Sequence, residues 1–307
     1  MKPGFVFAWF ALSWGLYLLC IIGGWAGQPY SFWNNPKTGS FLMLASIVFL
    51  GLPHGALDFH LRSLAFPRMR SMSSWAFVYL AWAAGALSIW FLSPSLGMIL
   101  LLALTTWHWG SADIMPWHSK VNGSPAVLHS VLRGGWVMLS PLGWQAEQTQ
   151  NLFQEWQIAL DLVTYQHPLI TLSLICVAGD LLLSLKSRSR VFLSGETLVL
   201  SFTAALLPPL VWIALYFTLF HSLRHFFRIR FYLAGQKPTR FHWLLPGLLL
   251  WLGSALLLLG LLFIAGITPW NHLIASVGIY LAFLFALTVP HAFHVRKLDY
   301  AESEARQ

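Results

Sequence analysis

Charge is what this sequence has least of. Asp, Glu, Lys and Arg make up 9% of its 307 residues, against roughly 25% in an ordinary soluble domain. Cysteine is almost absent. Cys20 and Cys176 are the only two, and both lie in apolar runs, so no disulfide framework or thiolate metal site can be built from them. Linkers, internal repeats and low-complexity tracts are missing too, which makes residues 1–307 one domain. The abundant residues are apolar: 57% are hydrophobic and 16% aromatic, with 17 Trp. A water-soluble fold of this length could not hide so much apolar surface. The chain divides instead into about ten membrane spans of about 30 residues each, loops included. The net charge of +8 would suit nucleic acid, but the 18 Lys and Arg sit in short clusters between apolar runs. That pattern excludes a nucleic-acid partner and reads as the positive-inside rule of membrane proteins.

The expected fold class is all-α, a polytopic helix bundle of about ten spans (eight to ten). Ten segments carry the pattern: Phe5–Gly24, Ser40–His60, Trp75–Leu92, Leu96–Asp113, Ala126–Gly143, Pro168–Leu185, Gly195–Leu207, Pro209–Phe227, Trp243–Gly266 and Leu273–His294. Lys2 followed by an apolar run resembles a signal peptide, but another membrane segment comes next, so the run is read as the first retained span. Pro208-Pro209 removes two amide donors and divides the short seventh span from the eighth. Asn151–Gln166 is amphipathic and acidic and is expected to lie in the interface.

Charge placement tests the count. With both termini in the cytoplasm, alternating spans put sixteen of the 18 basic residues inside, leaving Lys37 outside and Arg133 within a span. This asymmetry points to a multi-pass protein of the inner (plasma) membrane. Trp25, Trp33, Trp75, Trp117, Trp144, Trp243 and Trp270 fall at span ends, as interfacial anchors do. Arg133 is expected to pair with Asp180 or a carbonyl and is given no chemistry.

Twelve His stand against ten carboxylates, and several lie inside spans, where an ionisable group is costly and usually functional. At 1.5 Å per residue, His54 lies roughly 12 Å before the basic end of its span, His108 roughly 12 Å before Pro116, and His221 roughly 10 Å before Arg228. His225 comes one turn later on the same helix face. Four imidazoles therefore reach a similar depth in the cytoplasmic leaflet, a donor set suited to iron, copper, zinc or nickel. Asp58, Asp113 and Glu196 are intramembrane carboxylates that could accept the free ring N–H of ligating histidines. His291 and His294 are either substrate-lining groups or packing residues. His60, His118, His129, His167, His242 and His272 lie near span ends and are expected to be interfacial.

The segments Gly51-Leu-Pro-His-Gly-Ala-Leu-Asp58, Trp107-His-Trp-Gly-Ser-Ala-Asp113, His221-Ser-Leu-Arg-His225 and Pro290-His291 resemble the signatures of the bacteriorhodopsin-related protein-like (Brp/Blh) family of membrane β-carotene 15,15′-dioxygenases. The likeness covers roughly residues 40–295. It implies a ferrous ion, Fe(2+), held by His54, His108, His221 and His225, with β-carotene or a related carotenoid and O₂ as substrates. It also implies retinal as product and a retinal-binding opsin as a downstream acceptor. Trp107 and Trp109 flank one ligand and are candidates for shaping the substrate tunnel. No catalytic acid or base is required.

Other readings stay open at this point. A di-iron desaturase or hydroxylase would use more His, commonly in adjacent pairs, and this sequence has no adjacent His pair. A transporter relaying protons through intramembrane His and Asp would suit the Pro208-Pro209 break, although the halves show no repeat. A bis-His haem carrier could use His54 and His108.

Overall fold

The computed structural model describes residues 3–26, 32–69, 71–117, 123–185, 190–236, 244–264 and 272–304. Among these the chain is helical, with no strand. The helices are α1 (Pro3–Ala26), α2 (Pro36–Ala65), α3 (Met72–Leu92), α4 (Pro94–Ile114), α5 (Ser124–Trp144), α6 (Ala146–Glu155), α7 (Gln166–Ser184) and α8 (Arg190–Leu206). Then come α9, α10 (Leu244–Ile264) and α11 (Leu273–Glu304). α9 is three joined segments: Pro209–Leu215, a π-helical Tyr216–Ser222 and Leu223–Gln236. Among the described residues, five helices are long and apolar enough to cross a membrane: α2, α3, α7, α9 and α11.

Local sequence explains most boundaries. Asn35 caps α2, its side chain accepting the Lys37 amide at 3.0 Å, with Pro36 in the first turn. Ser71 and Ser93 cap α3 and α4 in the same way, satisfying amides that have no partner within the helix. Pro208 and Pro209 separate α8 from α9, as the sequence predicts.

The amphipathic segment is shifted from the expected Asn151–Gln166. The helix is Ala146–Glu155 and 156–165 forms turns. Gln157 adopts φ 58°, while the Ile158 amide returns to the Phe153 carbonyl at 2.8 Å and the Gln157 amide to Gln154 at 3.0 Å. This reverse turn ends the helix, with a glutamine where glycine is usual. Two of the expected interfacial tryptophans, Trp33 and Trp75, are buried. His118 and His242 lie outside the described residues.

α4 and α5 meet backbone to backbone. A Cβ at Gly110 would stand 1.9 Å from the Ser130 carbonyl oxygen, and one at Gly134 only 1.8 Å from that of Thr106. The two backbones touch, which only glycine allows, as at small-residue crossings in membranes. This apposition sets α4, which carries His108, against α5, which carries Arg133.

Arg133 is wholly buried. Its guanidinium donates to Asp113 at 3.2 Å, Asp180 at 3.3 Å, Thr197 at 2.9 Å and Glu196. Arg224 holds the other Glu196 oxygen at 2.6 Å, and Trp14 of α1 donates to the same carboxylate at 3.1 Å. The pairing expected of Arg133 with Asp180 is present, within a larger network. His129 departs from its expected interfacial place. It is buried and donates from Nε2 to Asp180 at 2.8 Å. Asp180 belongs to α7, so only tertiary packing brings the two together.

Gly110→Ala and Gly134→Ala should each cost about 1–3 kcal/mol of stability through overpacking and so lower the midpoint of thermal denaturation in detergent. Gly85→Ala, whose added Cβ meets nothing within 4 Å, should leave the midpoint unchanged or raise it. Equal midpoints for the three variants would show that α4 and α5 do not depend on this contact.

Candidate metal centre

α2, α4, α9 and α11 each bring histidine to one place. The rings of His54, His221, His108 and His291 form a closed cycle. Successive centroids are 5.4 Å (His54–His221), 4.8 Å (His221–His108), 4.9 Å (His108–His291) and 4.9 Å (His291–His54) apart. His225 lies 5.3 Å from His291 and 5.6 Å from His54. One donor nitrogen from each of His54, His221 and His291 lies within 4.8 Å of the other two.

Two π-helical turns place the rings. Ile47–Gly51 precedes His54, and Tyr216–Ser222 contains His221. Each inserts a residue into its helix and rotates the residues C-terminal to it about the axis. The two turns meet where Gly51 faces Phe217, and a Cβ at Gly51 would stand 2.8 Å from the Phe217 ring. At the far end Arg228 of α9 clips α11, donating to Asp299 at 2.6 Å and Glu302 at 3.0 Å. The helices carrying His225 and His291 are thereby held together.

Hydrogen bonds orient two of the rings. His54 donates from Nδ1 to the Leu50 carbonyl at 3.1 Å. His291 donates from Nδ1 to Asp58 at 2.8 Å, and Tyr79 donates to the other Asp58 oxygen at 3.0 Å. In both rings Nε2 is left as the lone-pair nitrogen. The His291 Nε2 is buried with no hydrogen-bond partner, as are His108 Nε2, His221 Nδ1 and both nitrogens of His225. Five clustered imidazoles with so many buried, unpartnered nitrogens fit a divalent transition-metal ion, because an unpaired polar atom in such surroundings is otherwise costly.

The structure distributes the sequence-derived candidates unevenly. His54, His108, His221 and His225 come together as the depth argument expects, and His291 joins them. Asp58 is beside the cluster but serves His291. The turn at Leu57 interrupts α2 between His54 and Asp58, so their i, i+4 spacing does not make them partners. Asp113 and Glu196 do not orient histidines: both carboxylates are held by Arg133. Asp113 lies five residues after His108, which turns it roughly 140° around the helix, where it also accepts the Tyr216 hydroxyl. His294 is satisfied elsewhere, donating to the Pro290 carbonyl at 2.8 Å and accepting the Trp75 indole N–H at 3.0 Å. Trp109 is buried and stacks on His221 at 5.2 Å, whereas Trp107 lies under the Arg296 guanidinium.

The cluster forms one wall of a cavity of about 310 Å³, lined by His54, His108, His221 and His291 together with Phe59, Phe217, Phe283 and Leu287 among other apolar groups. Leu80 and Leu249 also line it and are each 59% exposed on the outer face of the bundle. The cavity therefore reaches the apolar surface that faces lipid in a membrane-embedded helix bundle.

A family model described as "Beta-carotene 15,15'-dioxygenase" matches residues 45–299. The chain is 27% identical over 291 residues to "Probable beta-carotene 15,15'-dioxygenase Blh" of Halobacterium salinarum, a match covering 84% of this chain and 83% of that protein. It is 28% identical over 204 residues to "Beta-carotene 15,15'-dioxygenase" of an uncultured marine bacterium, covering 60% of this chain and 66% of the relative. No solved structure matches. Since the matched residues run from α2 to α11 and take in every histidine of the cluster, the chain belongs to the β-carotene 15,15′-dioxygenase family.

Proposed function

We propose that this protein cleaves β-carotene at its central double bond with O₂, giving two molecules of retinal, and that the histidine cluster would hold the ferrous iron this chemistry needs. The observation that carries the reading is the cluster itself: five imidazoles, four of them on the wall of an apolar cavity, in a chain of this family. Iron would be held by His54, His108, His221 and His225, the set the family resemblance implies, together with His291. Iron bound there would supply the one-electron and oxygen chemistry that side chains lack. The reaction balances without a reductant, since one C=C bond breaks and each carbon takes one oxygen atom.

The chain's own residues bind, orient and exclude water. Phe59, Phe217, Phe283 and Leu287 give the polyene apolar walls, and the bond to be cut is chosen by holding it against the cluster. Asp58, steadied by Tyr79, keeps the His291 ring turned toward the cavity. No acid–base group has to act. An apolar substrate partitions into the bilayer and would meet the cavity from the side of Leu80 and Leu249.

The same reading places ten spans in the inner membrane with both termini cytoplasmic and the cluster in the cytoplasmic half. The helical runs separated by Pro208-Pro209 and the clustering of basic residues support it. A retinal-binding opsin would be the acceptor of the product.

With ¹⁸O₂ and β-carotene, iron-loaded protein should give retinal as sole product, labelled in both molecules, with no electron donor added. Longer apocarotenals or a strict need for a reductase would refute the proposed reaction. Iron should bind near one per chain.

His291→Ala should abolish turnover and lower iron occupancy as far as His54→Ala, while His294→Ala should keep its iron. Asp58→Asn should weaken iron binding about 10–100-fold. Elemental analysis beside product chromatography separates these cases, and iron retention in His291→Ala at parent level would remove His291 from the ligand set.

Reporter fusions after Lys37, Gln145 and Pro269 should report the outer side, and those after Arg70, Lys120 and Arg190 the cytoplasm. A reversed pattern, or an odd number of spans, overturns the topology.

A further inference from the structure

A second cavity of about 90 Å³ lies beyond the first. The two share three lining residues, Thr105, Trp109 and Leu284. Trp109 is also the residue that stacks on His221, so this partition stands beside the histidine cluster. Beyond it the lining is apolar, with Met43, Met98, Leu102, Met138, Leu152 and Ile213 among its members. The polar atoms of Thr105, Thr149 and Trp156 are occupied elsewhere. Thr105 donates to the Leu101 carbonyl at 2.7 Å, Thr149 to the Pro141 carbonyl at 2.8 Å, and the Trp156 indole to the Ile274 carbonyl at 2.7 Å. A cavity with no polar group to offer stays dry and takes hydrocarbon.

The first cavity runs from the cluster toward the outer face at Leu80 and Leu249, which accounts for one side of the site. A symmetric polyene cut at its middle needs equal lengths of hydrocarbon on both sides of the cluster. We infer that the second cavity, enlarged when Leu284 turns aside, receives the leading ring of the carotenoid's far half, and that Leu284 is the movable part of the partition between the two. Thr105 is tied by its hydrogen bond, and Trp109 is held among Tyr216, Phe217 and His221. Leu284, partly buried, is the member whose side chain can turn aside by a rotamer change. The limited depth of the second cavity then stops the leading ring and sets the central bond at the cluster.

This assignment rests on the proposed carotenoid cleavage, so the experiment reads binding and regiochemistry separately. Leu102→Trp on α4 and Leu152→Trp on α6 each fill the second cavity from a different helix, and neither lines the first. Each variant is purified and its folding checked by thermal denaturation. β-Carotene binding to chelator-treated protein is followed by the visible absorption of the bound polyene, and products of the iron-loaded protein are separated by chromatography. Both variants should bind β-carotene about tenfold more weakly, or shift cleavage to unequal apocarotenals. An apocarotenal with one end shortened should still be cleaved within about threefold of the parent rate, because its short end asks less of the second cavity. Folded variants that bind β-carotene and release retinal as the parent does would overturn the assignment. Should one variant fail to fold, the other decides. Absence of retinal from the parent protein would instead defeat the cleavage reading, and β-carotene binding alone would then decide the role of the cavity.

Discussion

A polar group buried among apolar helices must find its partner within the protein, because neither lipid nor an apolar neighbour can supply one. Arg133 meets that demand most severely. Its guanidinium is wholly buried and gathers Asp113, Asp180, Glu196 and Thr197 from three helices. Arg224 and Trp14 complete the shell around Glu196. Removing one member would leave the others charged and unpaired, so α4, α5, α7, α8 and α9 are bound to one arrangement. Such networks are weak evidence for net stability, but they are costly to break.

The same constraint distinguishes the site from the scaffold. His129 has its Nε2, and His294 both ring nitrogens, engaged by protein partners. The rings around the cavity do not: His108, His221, His225 and His291 keep buried nitrogens without hydrogen bonds. Within one bundle, histidine is used both as a structural hydrogen-bonding group and as a set of converging lone pairs. The two regions are joined physically. Tyr216 donates to Asp113 in the arginine network and stacks on Trp109, which stacks in turn on His221. Rigidity in the scaffold is thereby passed to a ring of the cluster.

Close backbone approach and local helix distortion supply the remaining precision. Gly110 and Gly134 let α4 and α5 touch, and Gly51 lets the π turn of α2 meet Phe217 in the π turn of α9. Widened turns at these two places rotate His54 and His221 toward each other. The apolar walls then arise from side chains that have no other place to go in a chain with so little charge.

Depth along each helix was legible from the amino-acid order, because the rise per residue is constant. The convergence of His54, His108, His221 and His225 rests on that one-dimensional ruler, while the membrane character and all-helical fold follow from apolar composition and the break at Pro208-Pro209 from lost amide donors. Rotation about each helix axis, and hence the choice of neighbour, was not legible. Asp113 and Glu196 lie at a suitable depth but face Arg133. Asp58 lies four residues from His54 yet serves His291, because a turn at Leu57 intervenes. His129 sits near a helix start but finds Asp180 on α7. His291 comes directly after a proline in a motif the sequence displays, yet its place in the cluster depends on how α11 packs on α2 and α4. The sequence by itself determined which residue types lie at which height in the bundle. Only the tertiary structure decided which of them meet, since π turns, glycine contacts and the ion pairs of buried arginines fix how these helices face one another.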